Sequence, residues 1–227
     1  MATAPQKLII IGAGEFGEIA YEYFTHDSPY EVVGFAVERE FMEGSAFNSL
    51  PLVPFEELEE RFPPDAVECF VAVTSTQLNR VRKRLYLSAK ARGYRMATYV
   101  SSRAFVWRNA TVGENCFIFE NNVIQHKVRI GDNCILWSGN HVGHRSIIGD
   151  HCFISSHCVI SGYCEIGENC FLGVNSTFAD HVKVAEDCLI GAGAVMLKDA
   201  LPARIYQGNP AAPRDKASSL RYFGVKE

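Results

Sequence analysis

Seven histidines punctuate the 227-residue chain, at His26, His126, His141, His144, His151, His157 and His181. An imidazole titrates near neutrality, so each can take or give a proton in a reaction that needs general acid–base help. The segment Trp137-Ser-Gly-Asn-His-Val-Gly-His144 sets His141 and His144 three residues apart with Asn140 beside them. Either ring can act as the base, with the other, or Asn140, orienting it or donating to an oxyanion. A second constellation is Lys7-Leu-Ile-Ile-Ile-Gly-Ala-Gly-Glu-Phe-Gly17, in which Gly12, Gly14 and Gly17 form G-x-G-x-x-G after an apolar run. Bare backbone N–H groups at the start of a helix attract phosphate, so the turn is a candidate phosphate site. Eight cysteines contain no C-x-x-C pair, and they are expected to be reduced filler rather than redox or metal groups.

The elements that must position these residues are legible as a period. From Val100 to Met196 every sixth residue is apolar, seventeen positions in succession, and four residues after each the side chain is usually small. Six residues fit neither an α-helix nor a hairpin ladder. They fit a short strand plus a corner, three of which make one coil of a parallel β-helix with about 4.8 Å between coils. Cys116, Cys134, Cys152, Cys170 and Cys188 recur every eighteen residues, preceded by Asn115, Asn133, His151, Asn169 and Asp187. Both columns belong to one corner, where short polar residues tolerate positive φ. His151 therefore reads as structural.

The first half reads as alternating strands and helices. Lys7–Gly17 reads as a buried strand, the glycine turn and a helix starting near Glu15, and a strand follows at Tyr30–Val37. Glu38 stands where an acidic residue takes ribose hydroxyls in dinucleotide sites. A strand at 66–73, a helix at 77–92 and a short strand at 97–100 complete about 98 residues, half a doubly wound sheet, which suits a mononucleotide. The competing reading is a scaffold whose glycines only let the first helix pack on its strand. With 22 Lys+Arg against 26 Asp+Glu, net charge −4, the chain has the wrong sign for holding nucleic acid through phosphates. No apolar run approaches the roughly 18 residues of a membrane helix, and Met1–Gln6 lacks a signal-peptide head. The expected location is the cytoplasm.

The repeat resembles the left-handed β-helix of the hexapeptide-repeat acyltransferases over Val100 to about Ala212. With the first half and the closing Gly-Asn-Pro-Ala stretch at Gly208–Ala211, nearly the whole chain resembles bacterial sugar acetyltransferases. These include sialic acid O-acetyltransferases and nucleotide 4-amino-sugar N-acetyltransferases. The resemblance implies an α/β Rossmann-like nucleotide-sugar domain at 1–98, a left-handed parallel β-helix acyltransferase domain at 99–200 and a tail at 201–227. It implies a homotrimer using acetyl-CoA as co-substrate, without metal, to acetylate an amino group of a nucleotide-linked sugar; O-acetylation of a sugar is the same chemistry with another nucleophile.

The segment Val142-Gly-His-Arg-Ser-Ile-Ile-Gly-Asp-His-Cys-Phe153 is similar to the family's base-bearing segment and maps the base onto His144. Arg145 stands where the family often has an acidic residue, and Phe153 where a second histidine helps bind the acyl donor. The resemblance further implies donor contacts at Gly162, Val174, Gly191, Ala192 and Gly193, and nucleotide contacts at Gly12, Gly14, Glu15, Phe16 and Glu38. A β-helix carbonic anhydrase would need two histidines in H-x4-H spacing, which this chain lacks. A non-catalytic nucleotide-binding scaffold is the remaining alternative.

Overall fold

The computed structural model describes residues 5–209 and 211–226; Met1–Ala4, Glu227 and Pro210 of the Gly-Asn-Pro-Ala stretch lie outside the described residues. The chain divides into two compact units, one of 5–74 with 82–99 and the other of 75–81 with the chain from residue 100 onward.

In the first unit, β1 (Gln6–Ile11), α1 (Glu15–His26), β2 (Tyr30–Val37), β3 (Ala46–Phe47), β4 (Leu50–Pro54), α2 (Leu58–Arg61), β5 (Glu68–Val71), α3 (Arg80–Ala91, whose first two residues belong to the second unit) and β6 (Arg95–Met96) follow one another. They build a six-stranded sheet in the order β3-β4-β2-β1-β5-β6, with only the β3–β4 edge pair antiparallel. Leu8, Ile9 and Ile10 are wholly buried, as a central parallel strand covered on both faces requires. Phe16, Ala20 and Phe24, four apart, form the buried stripe of α1, and Phe24 meets Phe70 of β5 at 5.2 Å between ring centroids. The expected helix at 77–92 starts three residues late. Gln77, Leu78 and Asn79 take left-handed φ values of 52°, 49° and 66°, which no right-handed helix accommodates.

The second unit is a three-faced parallel prism whose repeated strand pattern fits a left-handed β-helix. The strands of its coils are two residues long, and longer strands at Arg204–Gln207 and Ala212–Ser218 follow them. Face 1 carries Phe117–Ile118, Ile135–Leu136, Phe153–Ile154, Phe171–Leu172 and Leu189–Ile190. Face 2 runs from Phe105–Val106 to Val195–Met196, and face 3 from Thr111–Val112 to Lys183–Val184. Pairing joins each residue to the one eighteen further on, Phe117 to Ile135 and His141 to Val159 for example. The second residue of each strand points inward. Ile118, Ile124, Leu136, Val142 and Ile160 are all wholly buried, and each such side chain stabilises the fold by roughly 1.5–3 kcal/mol.

The corners between faces carry the left-handed residues. The first corner, from face 3 to face 1, uses Asn115, Asn133, His151, Asn169 and Asp187; the third, from face 2 to face 3, uses Lys127, Arg145, Tyr163 and His181. The second corner lies between faces 1 and 2. At the first corner Asn115 donates to Asn133 Oδ1 at 2.7 Å, and Asn133 Nδ2 lies 2.9 Å from His151 Nδ1, so His151 is part of a buried ladder. All eight cysteines are buried thiols outside any disulfide. Those beside this corner donate inside the prism to carbonyls fifteen residues on, Cys116 to Gly131 at 3.1 Å and Cys134 to Gly149 at 3.2 Å.

Candidate active site

The third corner brings together the groups that can do chemistry. His144 is exposed there, its backbone N–H donating to Gln125 Oε1 at 3.0 Å and its carbonyl accepting from Tyr163 at 3.0 Å. Its ring lies over Gly162, one coil up, so that a Cβ at 162 would stand 2.6 Å from Cε1. The ring meets Tyr163 edge-on, with centroids 5.1 Å apart at 82°, and Tyr163 stacks on His181 at 4.8 Å and 16°. Arg145 holds its guanidinium 5.9 Å from the Tyr163 ring centre. Where an acidic neighbour would hold the imidazole by a hydrogen bond, an aromatic edge holds it here. Tyr163 carries no sequence motif; its signal is an aromatic ring at a left-handed corner position, where the other coils carry Asn, Asp, Gly, His, Lys or Arg.

His141 is half-buried on the outer side of face 2, between Val123 and Val159 in the neighbouring coils. Among the described residues no hydrogen bond or ring contact joins it to His144. Asn140 is not available to either histidine. Its side chain points into the prism, with Nδ2 donating to the Trp137 carbonyl and Oδ1 accepting from Cys158 N–H at 2.7 Å. The residue occupies the small inward column, so it holds the corner rather than an oxyanion. His126, one coil below His144, pairs through Nδ1 with Asn109 at 3.1 Å.

The expected donor contacts separate into two places. Gly162 offers no free backbone, because its N–H donates to Asp180 Oδ1 at 2.7 Å and its carbonyl accepts from His181 at 3.0 Å. Its lack of a side chain serves the His144 ring instead of a ligand running along the chain. Gly191 donates to the Tyr206 carbonyl at 2.8 Å. At the second corner, by contrast, Val174 and Ala192 are exposed one coil apart, and Gly193 at φ 67° has open space around its α-carbon. Phe153 lies on face 1, nearly buried and stacked on Phe171 at 5.2 Å and 2°, which is a packing role away from His144 within this chain.

In the first unit the glycine turn follows β1, whose neighbours β2 and β5 lie on opposite sides, so the turn sits at a topological switch point of the sheet. The three glycines differ in purpose. A Cβ at Gly12, φ 129°, would stand 2.5 Å from the Ala72 carbonyl oxygen, and one at Gly17 would collide with the Gly12 carbonyl. Gly14, at the N-cap of the 12-residue α1, has nothing within 4 Å. Two glycines therefore serve packing and the third leaves an open approach to the helix start. The Phe16 side chain belongs to the core, so only its backbone faces the turn. Glu38, just past β2, is clasped by Arg84 through bonds of 2.7 and 2.9 Å, and those bonds hold its carboxyl below the usual range.

Among the described residues no group of three or more His, Cys, Asp or Glu is placed to hold a metal ion, and no helix is long and apolar enough to cross a membrane.

The prism and its open corner define a class, the hexapeptide-type β-helix proteins. Residues 95–209 match the family model described as GMPPB C-terminal domain, and the chain belongs to that family. Among solved structures, the acetyltransferase domain of PglB from Neisseria gonorrhoeae FA1090 is 26% identical with a TM-score of 0.81, covering 92% of this chain and 100% of that one. That domain has also been solved in complex with acetyl coenzyme A. PerB from Caulobacter crescentus, in complex with CoA and GDP-perosamine, has the same fold at 23% identity and a TM-score of 0.81, covering 94% of this chain and 100% of that one. WeeI from Acinetobacter baumannii AYE shares it at 18% identity and a TM-score of 0.79, covering 92% and 100%. No curated protein matches the sequence significantly.

Proposed function

We propose that this chain is an acetyltransferase that moves an acetyl group from acetyl-CoA to an amino group of a nucleotide-activated sugar. The observation that carries the reading is His144, an exposed imidazole laid on Gly162 and braced by Tyr163, in a chain superposable on an acetyltransferase domain that binds acetyl-CoA. In the reaction, the sugar amine attacks the thioester carbonyl while His144 takes its proton. The C–N bond forms, the C–S bond breaks, and the imidazolium returns the proton to the departing thiolate, so CoA leaves as a thiol. Val174, Ala192 and Gly193 offer the donor an edge of chain at the second corner, and His141 lies on the face between that corner and His144.

Residues 1–98 serve as a Rossmann-like nucleotide-sugar domain, 99–200 as the left-handed acyltransferase β-helix and 201–227 as the tail. The open start of α1 at Gly14 supports a phosphate there, and Glu38 lies at the ribose position. The working protein is a homotrimer in the cytoplasm, engaging neither nucleic acid nor membrane. Supporting the trimer, the outer side of face 2 presents Phe105, Val123, Val159 and Val195 with His141 and Thr177, an apolar stripe that a second prism would cover.

The test is thiol release from acetyl-CoA against a panel of nucleotide-linked amino sugars, with the corresponding hydroxy sugars alongside. Release that requires an amino sugar is expected. Release only with hydroxy sugars makes the enzyme an O-acetyltransferase, and acetyl-CoA that fails to bind makes the chain a scaffold.

A further inference from the structure

Beside the third corner, face 3 opens into a cleft of about 390 Å³ lined by Asn109, Thr111, Lys127, Arg129 and Arg145. None of these residues is needed for the proton transfer proposed above. Three of the five are cations, and among the described residues none of the three is paired with a carboxylate. Two other cations of the same unit have carboxylate partners, Lys183 with Glu165 at 3.0 Å further along face 3 and Arg80 with Asp187 at 2.7 Å. Charges of one sign gathered in a concavity repel one another and raise the local potential, a penalty that an anion in the cleft removes.

The cleft is built rather than accidental. Lys127 and Arg145 hold equivalent corner positions one coil apart, at φ 57° and 61°, where long side chains are disfavoured. Asn109 fixes the lower one, its Oδ1 accepting the Lys127 N–H at 2.9 Å while its Nδ2 meets His126. Arg145 N–H is held by the His126 carbonyl at 2.9 Å. One lysine supplies a mobile point charge, two guanidinium forks match phosphate oxygens in pairs, and Thr111 adds a neutral donor.

We infer that the Lys127–Arg129–Arg145 cleft is a diphosphate-binding subsite. The volume holds a diphosphate with part of an attached nucleoside. The inference deepens the acetyltransferase reading and rests on it for the ligand's source, since both substrates of that reaction carry a diphosphate, one in the sugar nucleotide and one in CoA. A docked second copy is the less favoured occupant. The acidic residues of the first corner, Asp132 and Asp150, already accept backbone N–H groups of their own chain at 2.9 and 2.8 Å.

Calorimetric titration of the full chain tests the cleft directly, with inorganic pyrophosphate, then CoA, then UDP and GDP, for the parent and for Arg129→Ala and Lys127→Ala. Arg129 is an exposed strand residue, so folding is expected to survive, which circular dichroism checks. Losing one charge-assisted contact should weaken pyrophosphate binding about tenfold or more, and Arg129→Lys should restore part of it. A matching loss confined to UDP or GDP assigns the cleft to the acceptor, and one confined to CoA assigns it to the donor. Unchanged affinity for all four probes in both variants overturns the subsite, as does a change in solution mass, which would make the cations a contact between copies. Binding is read without turnover. A chain that transfers no acetyl group yet loses pyrophosphate with Arg129 sinks the acetyltransferase reading and keeps the cleft.

Discussion

The first and third corners of the prism share one backbone and spend it differently. Asn115, Asn133, His151, Asn169 and Asp187 turn the first at φ between 51° and 63°, and Lys127, Arg145, Tyr163 and His181 turn the third at 57° to 66°. Left-handed backbone is tolerated by short polar side chains and costs others roughly 1–2 kcal/mol per residue. The first corner obeys that preference, and four of its five residues are buried, with Asn115, Asn133 and His151 bonded in a ladder. The third breaks it three times in succession, at Lys127, Arg145 and Tyr163, and all four of its side chains, His181 included, are exposed. Three stacked departures beside an exposed histidine and a cationic cleft mark a corner not optimised for stability, and they support the proposed site there.

The largest effect separates the corners by function. His144→Ala should lower turnover about a hundred- to ten-thousand-fold while acetyl-CoA affinity and solution mass stay unchanged, and His141→Ala should cost less. Steady-state rates for the two variants check it. If His141→Ala is the more damaging, the base sits on face 2; if neither slows the reaction, the third corner is not reactive.

Next comes the first corner, where the loss should fall on stability alone. Asn133→Ala removes a buried amide bonded on both sides, takes away the Oδ1 that accepts from Asn115 Nδ2, and puts alanine at φ 58°. A destabilisation of about 2–4 kcal/mol is expected in denaturant unfolding, with normal turnover per folded molecule. A turnover loss without a stability loss would erase the contrast between the corners.

How much of this could be read beforehand follows the same division. The six-residue period and the eighteen-residue cysteine column describe the prism because inward packing leaves no freedom, and the pairing of Phe117 with Ile135 repeats that spacing. The late start of α3 was hidden, since Gln77, Leu78 and Asn79 include no glycine to announce a left-handed turn. Asn140 belongs to the small inward column, so periodicity already argued against a place beside the histidines. Gly162 stands eighteen residues after His144, and Gly139 eighteen before His157, whose ring would likewise meet a Cβ there. A glycine one coil from a histidine is thus a legible sign of a ring lying on the backbone, whereas Arg129 and its cleft depend on three dimensions.

The buried cysteines Cys116, Cys152 and Cys158 of the prism should show its dryness through pH. Burial pushes Cys158 up to about 11 and drives Cys116 and Cys152 well above the ordinary 9.0. A pKa raised on folding means the native state holds the proton more tightly. The stability this contributes is whole below pH 9 and is lost as pH rises towards 11, about 2–3 kcal/mol for Cys158 alone. Unfolding midpoints should therefore fall above pH 9, and native thiols should react slowly with a labelling reagent at pH 8. Rapid labelling of most of them, with activity lost in step, would mean the prism is open to solvent.

The smallest effect reads both corners in one residue. Tyr163 pays for φ 59° with strain, and asparagine is the residue the first corner uses at that conformation. Tyr163→Asn should therefore leave stability unchanged or raise it by about 1 kcal/mol, since the ring is exposed and little apolar burial is lost. The same change removes the edge that meets His144 and the plane that stacks on His181. With its imidazole free to rotate, His144 should spend less time aligned with the amine, and turnover should fall severalfold while the Michaelis constant for acetyl-CoA stays the same. Tyr163→Phe keeps the ring and should restore the rate, which separates a packing role from any part played by the phenol. A Tyr163→Asn variant that is less stable and fully active would reverse the assignment and make the third corner a structural one like the first.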